Sequence, residues 1–200
     1  MSSCKHFPQV IVALAVGAAF AGCASRPQEH FYTVSTADHG SGEGAESQRI
    51  KLSPIVIPAL IDRPQLVVRT DRHEVVVLEN HRWAEPLSAD LTRALGQDLR
   101  RSLPAFQIAE ANAPSDRTKP AILDVEITDL ISGPGPSTSL QASWVLHDRS
   151  RSCMRSGALA AQVPTQAGDD AIAGAYADAM SRLARAIAQT IPDGGLCAGD

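Results

Sequence analysis

Between Ala121 and Val163 the chain alternates apolar and polar residues with few breaks. Leu123, Val125 and Ile127 alternate with Asp124, Glu126 and Thr128. Leu140, Ala142, Trp144 and Leu146 alternate with Ser139, Gln141, Ser143 and Val145, and a third stretch runs from Cys153 to Val163. Successive side chains of a strand point to opposite faces, so each stretch predicts a strand with one face turned inward. Gly133-Pro134-Gly135-Pro136 and Asp148-Arg149-Ser150-Arg151 read as the connections. Three strands joined so closely form an antiparallel meander, whose apolar face requires a cover.

Two segments have the pattern to supply it. Leu87, Leu91, Leu95, Leu99 and Leu103 recur every four residues with Ala94 beside them, which predicts an amphipathic helix over 87–103. Ser88 is the candidate N-cap, Asp90 suits the first turn, Arg100 and Arg101 suit the last, and Pro104 stops it. A second helix is predicted from Asp170 to about residue 190, with Ile172, Tyr176, Met180, Leu183 and Ile187 on one face. Asp169 and Asp170 cap its start, and Pro192 with Gly194-Gly195 ends it. Earlier strands are expected at Phe31–Val34, at Ile50–Pro58 with Pro54 marking an edge or bulge, at Leu66–Val68 and at Glu74–Leu78. Residues Thr70 to His73 form the turn between the last two. The expected fold class is α+β: a mostly antiparallel sheet covered on one face by two amphipathic helices. At 200 residues and 21.1 kDa the chain has room for one such domain, placed at residues 49–200.

The N-terminus points to a compartment. Lys5 precedes an uncharged run from Val10 to Gly22, shorter than the roughly 20 residues a spanning helix needs. Residues 1–22 therefore read as an export signal. Phe20-Ala21-Gly22-Cys23 resembles a bacterial lipobox, which implies acylation of Cys23. Ala24 follows, where such lipoproteins carry Asp if they are retained in the inner membrane, so the resemblance implies the outer membrane, facing the periplasm. Three acyl chains at about 0.8 kcal/mol per buried methylene would make release negligible. Residues 23–48 then form a lipid-anchored tether, with the first short strand and the flexible linker STADHGSGEGAESQ over 35–48. Cys153 and Cys197 would remain in an oxidising compartment. A bridge between them would close a loop of about 45 residues, worth roughly 4 kcal/mol in the chain-entropy model; two free thiols are the alternative.

Little in the chain suggests catalysis. The formal charge is −4, or −5 without residues 1–22, and the basic residues are scattered, which argues against a nucleic-acid partner. There is no G-x-S-x-G elbow, no phosphate loop and no dinucleotide fingerprint. His30, His39, His73, His81 and His147 form no H-x-H or H-x-x-x-H pair, and no metal or cofactor is expected. Asp124 and Glu126 share one strand face, which suits acid–base chemistry or simply a solvated face. Arg149, Arg151 and Arg155 surround one hairpin and fit either lipid headgroups, an acidic partner or a solvated turn. The chain does not read as an enzyme.

The most informative segment is Pro58 to Leu87. It contains Pro58-x-x-Ile61-Asp62-Arg63-Pro64-Gln65-Leu66-Val67-x-Arg69 and, after a short strand, His81-Arg82-Trp83-Ala84-Glu85-Pro86-Leu87. With the lipobox and the Phe31-Tyr32 patch, these blocks resemble the ABC-type transport auxiliary lipoprotein family. The resemblance implies an outer-membrane lipoprotein serving an intermembrane lipid-transport system. It also implies an MCE-domain protein as partner, docked on the folded domain, with the membrane held through the acyl chains and a homo-oligomer as one arrangement. Asp62, Arg63, Pro64, Gln65, Arg69, Trp83, Glu85 and Pro86 are the candidates for the partner surface. A structural role is the competing reading for the same residues: Pro64 keeps its neighbour extended, Trp83 suits the seal between sheet and helix, and Glu85 sits just ahead of a helix start. The alternative function is a structural or assembly lipoprotein that binds an outer-membrane barrel or lipopolysaccharide.

Overall fold

In the computed structural model, residues 28–34, 48–110, 120–148, 152–166, 168–192 and 195–197 are described. Eight strands form one sheet: β1 (His30–Tyr32), β2 (Gln48–Leu52), β3 (Gln65–Asp71), β4 (Glu74–Trp83), β5 (Phe106–Glu110), β6 (Ala121–Ser132), β7 (Ser137–Asp148) and β8 (Cys153–Pro164). Helix α1 spans Leu87–Ser102 and α2 spans Asp170–Gln189. The meander β6-β7-β8 is antiparallel, with Leu123 opposite Leu146 and Trp144 opposite Gly157. The other edge of β6 is shared. Its start takes β2, Glu126 bridges Val56, and its last residue, Ser132, pairs with Val68 of β3. β5 lies outside β2, while β4 and then β1 lie outside β3.

The sheet is therefore mixed, which corrects the mostly antiparallel arrangement expected from sequence. Among the described residues, β1–β4, β2–β5, β2–β6 and β3–β6 pair in parallel, and only β3–β4, β6–β7 and β7–β8 are antiparallel. Parallel neighbours are brought together by long connections, and period-two patterning carries no signal about direction. Pro54 does not mark a sheet edge either, because β2 has neighbours on both sides. The chain leaves the ladder at Pro54 and returns at Val56, whose N–H reaches Val125 O at 3.1 Å. The displaced Ile55 N–H is taken by Thr92 Oγ1 of α1 at 3.0 Å.

Both helices lie on the buried face. Leu91, Leu95 and Leu99 of α1 and Met180, Leu183 and Ile187 of α2 join Leu123, Leu140 and Trp144 in one core. Burying each such side chain contributes about 1.5–3 kcal/mol, so the leucine stripe alone accounts for much of what holds α1 down. The two helices pack on each other; α1 also lies on β5, and α2 on β7 and β8. The helix starts differ from expectation. Pro86, not Ser88, is the N-cap of α1, accepting from Ala89 N and Asp90 N at 3.0 and 3.2 Å. Asp169 is the N-cap of α2 but makes no side-chain cap hydrogen bond, because its carboxylate is drawn to His81.

Candidate functional site

The two sequence blocks meet at one end of the β3–β4 ladder. Pro58 O accepts from Ile61 N at 3.0 Å and Asp62 N at 3.2 Å, a single tight turn pinned by the buried Ile61. This leaves Asp62 and Arg63 exposed. Pro64 has no N–H to offer, but its carbonyl receives Trp83 N at 2.8 Å, which brings the second block alongside the first. Ala84 N then bonds Tyr32 O at 2.8 Å, fixing β1 on the outer side of β4. From Gln65 to Leu66 the partner on β4 jumps from Arg82 to Leu78, an irregularity that turns the end of β4.

The result is a pocket of about 370 Å³ lined by Asp62, Arg63, Pro64, Trp83, Glu85, Pro86 and Leu87. Six of the eight candidate residues thus converge. Gln65 and Arg69 do not: Gln65 Nε2 reaches the Glu79 carboxylate at 3.4 Å, and Arg69 lines a different pocket near the far end of β3. Trp83 is 5% exposed and its ring leans on Tyr176 of α2, with centroids 5.3 Å apart, so it ties this corner of the sheet to the second helix. Tyr176 in turn donates to Leu130 O at 3.0 Å, and burial, then the Asp129 carboxylate, push its phenol well above the usual value. Glu85 is held by Arg93, which also grips Asp90 at 3.0 Å. Arg63, by contrast, has no ion-pair partner among the described residues, which leaves its charge available at the rim. Apolar walls with a few charges at the mouth suit the binding of another molecule.

Two polar features were not recognised as interactions in the sequence. Asp90 suits the first turn by sequence, yet it is fully buried and accepts from Val34 N at 2.6 Å and Thr33 Oγ1 at 3.0 Å. It fastens the segment after β1 to α1. The signal was available: Asp90 falls between Leu87 and Leu91, on the helix's apolar stripe. Beside it, Tyr32 OH and His81 Nδ1 are 2.9 Å apart, His81 Nε2 faces Asp169 at 3.3 Å, and the His30 ring stacks on His81. Partial burial, then Asp169 and Asp170, raise the pKa of Tyr32.

The remaining candidates lie elsewhere. Cys23 falls outside the described residues, as do Arg149 and Arg151, and His39 with most of the 35–48 linker. Cys153 of β8 and Cys197 are joined, with Cα atoms 5.7 Å apart. Arg155 Nε donates to Leu196 O at 3.3 Å nearby. Asp124 and Glu126 point to solvent. Among the described residues, no cluster of three or more metal-binding side chains occurs, and no helix is long and apolar enough to cross a membrane.

The profile of the ABC-type transport auxiliary lipoprotein component family matches residues 32–188, which takes in both blocks, α1, all of α2 but its last residue, and every strand but part of β1. The chain belongs to this family. A curated relative, the intermembrane transport lipoprotein PqiC of Escherichia coli (strain K12), is 24% identical over 174 residues, covering 86% of this chain and 91% of that protein. Two crystal structures share the fold. An uncharacterized protein superposes with a TM-score of 0.69 at 16% identity, covering 82% of this chain and 98% of its own. Protein XCC0632 from Xanthomonas campestris gives 0.59 at 17% identity, covering 80% and 92%.

Proposed function

We propose that this family member is an outer-membrane lipoprotein, anchored through acylated Cys23 and facing the periplasm, that docks the MCE-domain component of an intermembrane lipid-transport system. The observation that supports the proposal is the convergence of Asp62, Arg63 and Pro64 with Trp83, Glu85, Pro86 and Leu87 on one pocket, with the exposed Arg63, which has no ion-pair partner among the described residues, at its rim. Trp83 and Leu87 of these blocks are buried and serve the core, whereas Asp62, Arg63, Pro64 and Pro86 are exposed. Glu85 is anchored by Arg93, while Arg63 and Asp62 are exposed. The PqiC name supports transport between membranes, and the lipobox resemblance supports the anchor. Self-association of the domain around the conduit belongs to the same proposal. Co-purification tests it: the full-length protein should recover an MCE-domain protein, and the exposed double change Asp62→Arg, Arg63→Glu should cut recovery at least about tenfold, the scale of a hot-spot loss. Undiminished recovery, or recovery of an outer-membrane barrel alone, would overturn it.

A further inference from the structure

Three strands end the sheet: β1 and β5 on its two arms, and β8 beyond the meander. Strand β1 is three residues long, and β5, of five, has Arg100 of α1 on its Ile108 carbonyl at 3.4 Å. Strand β8 is different. Its 12 residues pair with β7 in unbroken register and with no other strand among the described residues. From Ser156 to Val163 it holds no charged residue, no proline and no bulge, and Pro164 comes only at its end. Sheets blunt an open edge with charges, prolines, bulges or short strands, because unpaired N–H and C=O groups invite another strand.

The backbone groups on this edge can be assigned. Thr165 N donates to Pro136 O at 2.9 Å, which makes Ser137 and Pro164 a pair without mutual hydrogen bonds. Counting back by the antiparallel alternation, Met154, Ser156, Ala158, Ala160 and Gln162 turn their N–H and C=O groups away from β7. No strand among the described residues lies there to receive them. The core also runs out at this edge. On β7 Leu140, Ala142, Trp144 and Leu146 are buried, whereas Leu159, on the same face of β8, is only half-buried.

We propose that β8 is the seam between two copies of this chain, paired antiparallel about a two-fold axis at Ala158 so that the two sheets become one. That register sets Ser156 opposite Ala160 and Met154 opposite Gln162. Every outward group from Met154 to Gln162 then finds a partner, and Pro164, which has no N–H, falls just beyond. The contact is isologous, the same strand on both copies. On the face that carries the helices, Leu159 of one copy lies opposite Gly157 of the other, where the Trp144 ring fills the place of a side chain. Arg155 lies opposite Ala161, so no like charges meet. The strand thus complements itself in shape and charge. The seam deepens the self-association included in the function proposed above and rests on that reading only for its place in the assembly; it uses neither the pocket at Arg63 nor the MCE-domain partner.

Cysteine cross-linking of the full-length protein in cells tests this. The two Ala158 positions would lie about 5.5 Å apart, within disulfide reach, so Ala158→Cys should give a self-adduct on oxidation and the unaltered protein none. Ser143→Cys, one strand inward on β7, sets its pair about 14 Å apart, three strand spacings, and should give none. The adduct should form equally in cells that lack an MCE-domain protein, so failure of the seam and failure of the docking reading are separate results. Ala158→Lys puts two ammonium groups face to face. It should weaken self-association of the purified protein in detergent at least about tenfold by sedimentation, with an unchanged circular dichroism spectrum because residue 158 is exposed. Mixing it with the Ala158→Glu protein should restore the pair. No adduct at 158, an equal adduct at 143, an adduct only with another protein, or an Ala158→Lys protein that self-associates as before would each overturn the assignment.

Discussion

Replacing Asp90 by alanine should destabilise the protein far more than a helix first-turn acid would suggest. The carboxylate is completely buried, yet it accepts from Val34 N at 2.6 Å and Thr33 Oγ1 at 3.0 Å and pairs with Arg93 Nη2 at 3.0 Å. Loss of an exposed first-turn acid costs only about 0.3–1 kcal/mol. Loss of this one leaves the Val34 amide and the Thr33 hydroxyl without their acceptor and removes one carboxylate from Arg93, which keeps Glu85. Breaking a buried, hydrogen-bonded charge pair typically costs about 3–5 kcal/mol, a large part of the roughly 5–15 kcal/mol that holds a domain together. With a urea slope of about 2 kcal/mol per molar, the midpoint should fall by about 1.5–2.5 M. Equilibrium urea unfolding followed by far-UV circular dichroism measures the midpoint, and amide exchange at Val34 reports whether the segment after β1 has come loose. A loss below about 1 kcal/mol with Val34 still protected would refute the idea that Asp90 is the fastening of β1 to α1.

Two other perturbations probe the core. The Tyr176 phenol is raised above its ordinary value of 10.0, so the unfolded chain ionises first as pH rises. Its contribution is complete below pH 10 and is lost above it at about 1.4 kcal/mol per pH unit, a slope that Tyr176→Phe should remove while costing about 1 kcal/mol at neutral pH. Identical alkaline slopes for the two proteins would contradict the burial of this phenol beside Asp129. At Gly157 an added Cβ would collide with Trp144 Cζ2 and Cε2, on a ring that is itself in the core. Gly157→Ala should therefore cost about 1–3 kcal/mol and alter the near-UV tryptophan signal, and a neutral result would show that the ring moves freely.

What the sequence made legible was local. The leucine stripe of α1, the alanine-filled face of α2 and the alternation of β6, β7 and β8 repeat within a few residues, and each appears where the pattern placed it. Pairing direction was not legible, because β2 meets β6 across some seventy residues of intervening chain and its neighbours leave no trace in its own five. Strand β5 is not legible for a related reason: in Phe106–Glu110 only Ile108 is buried, so the segment carries almost no period. The pocket was legible as two blocks of unusual composition, but that Gln65 and Arg69 stand apart from it depends on the irregular β3–β4 register, which no short motif encodes. Asp90 shows what a closer reading finds: an acid on an apolar stripe has to be answered by donors from somewhere else in the chain.

The docking claim is tested most directly by placing a photo-crosslinking residue at position 63 in cells and, as a control, at Val145, which is exposed on β7 of the meander. The probe at 63 should form an adduct with an MCE-domain protein and the probe at 145 should not. An adduct from 145 with none from 63, or capture at 63 of an outer-membrane barrel alone, would contradict it.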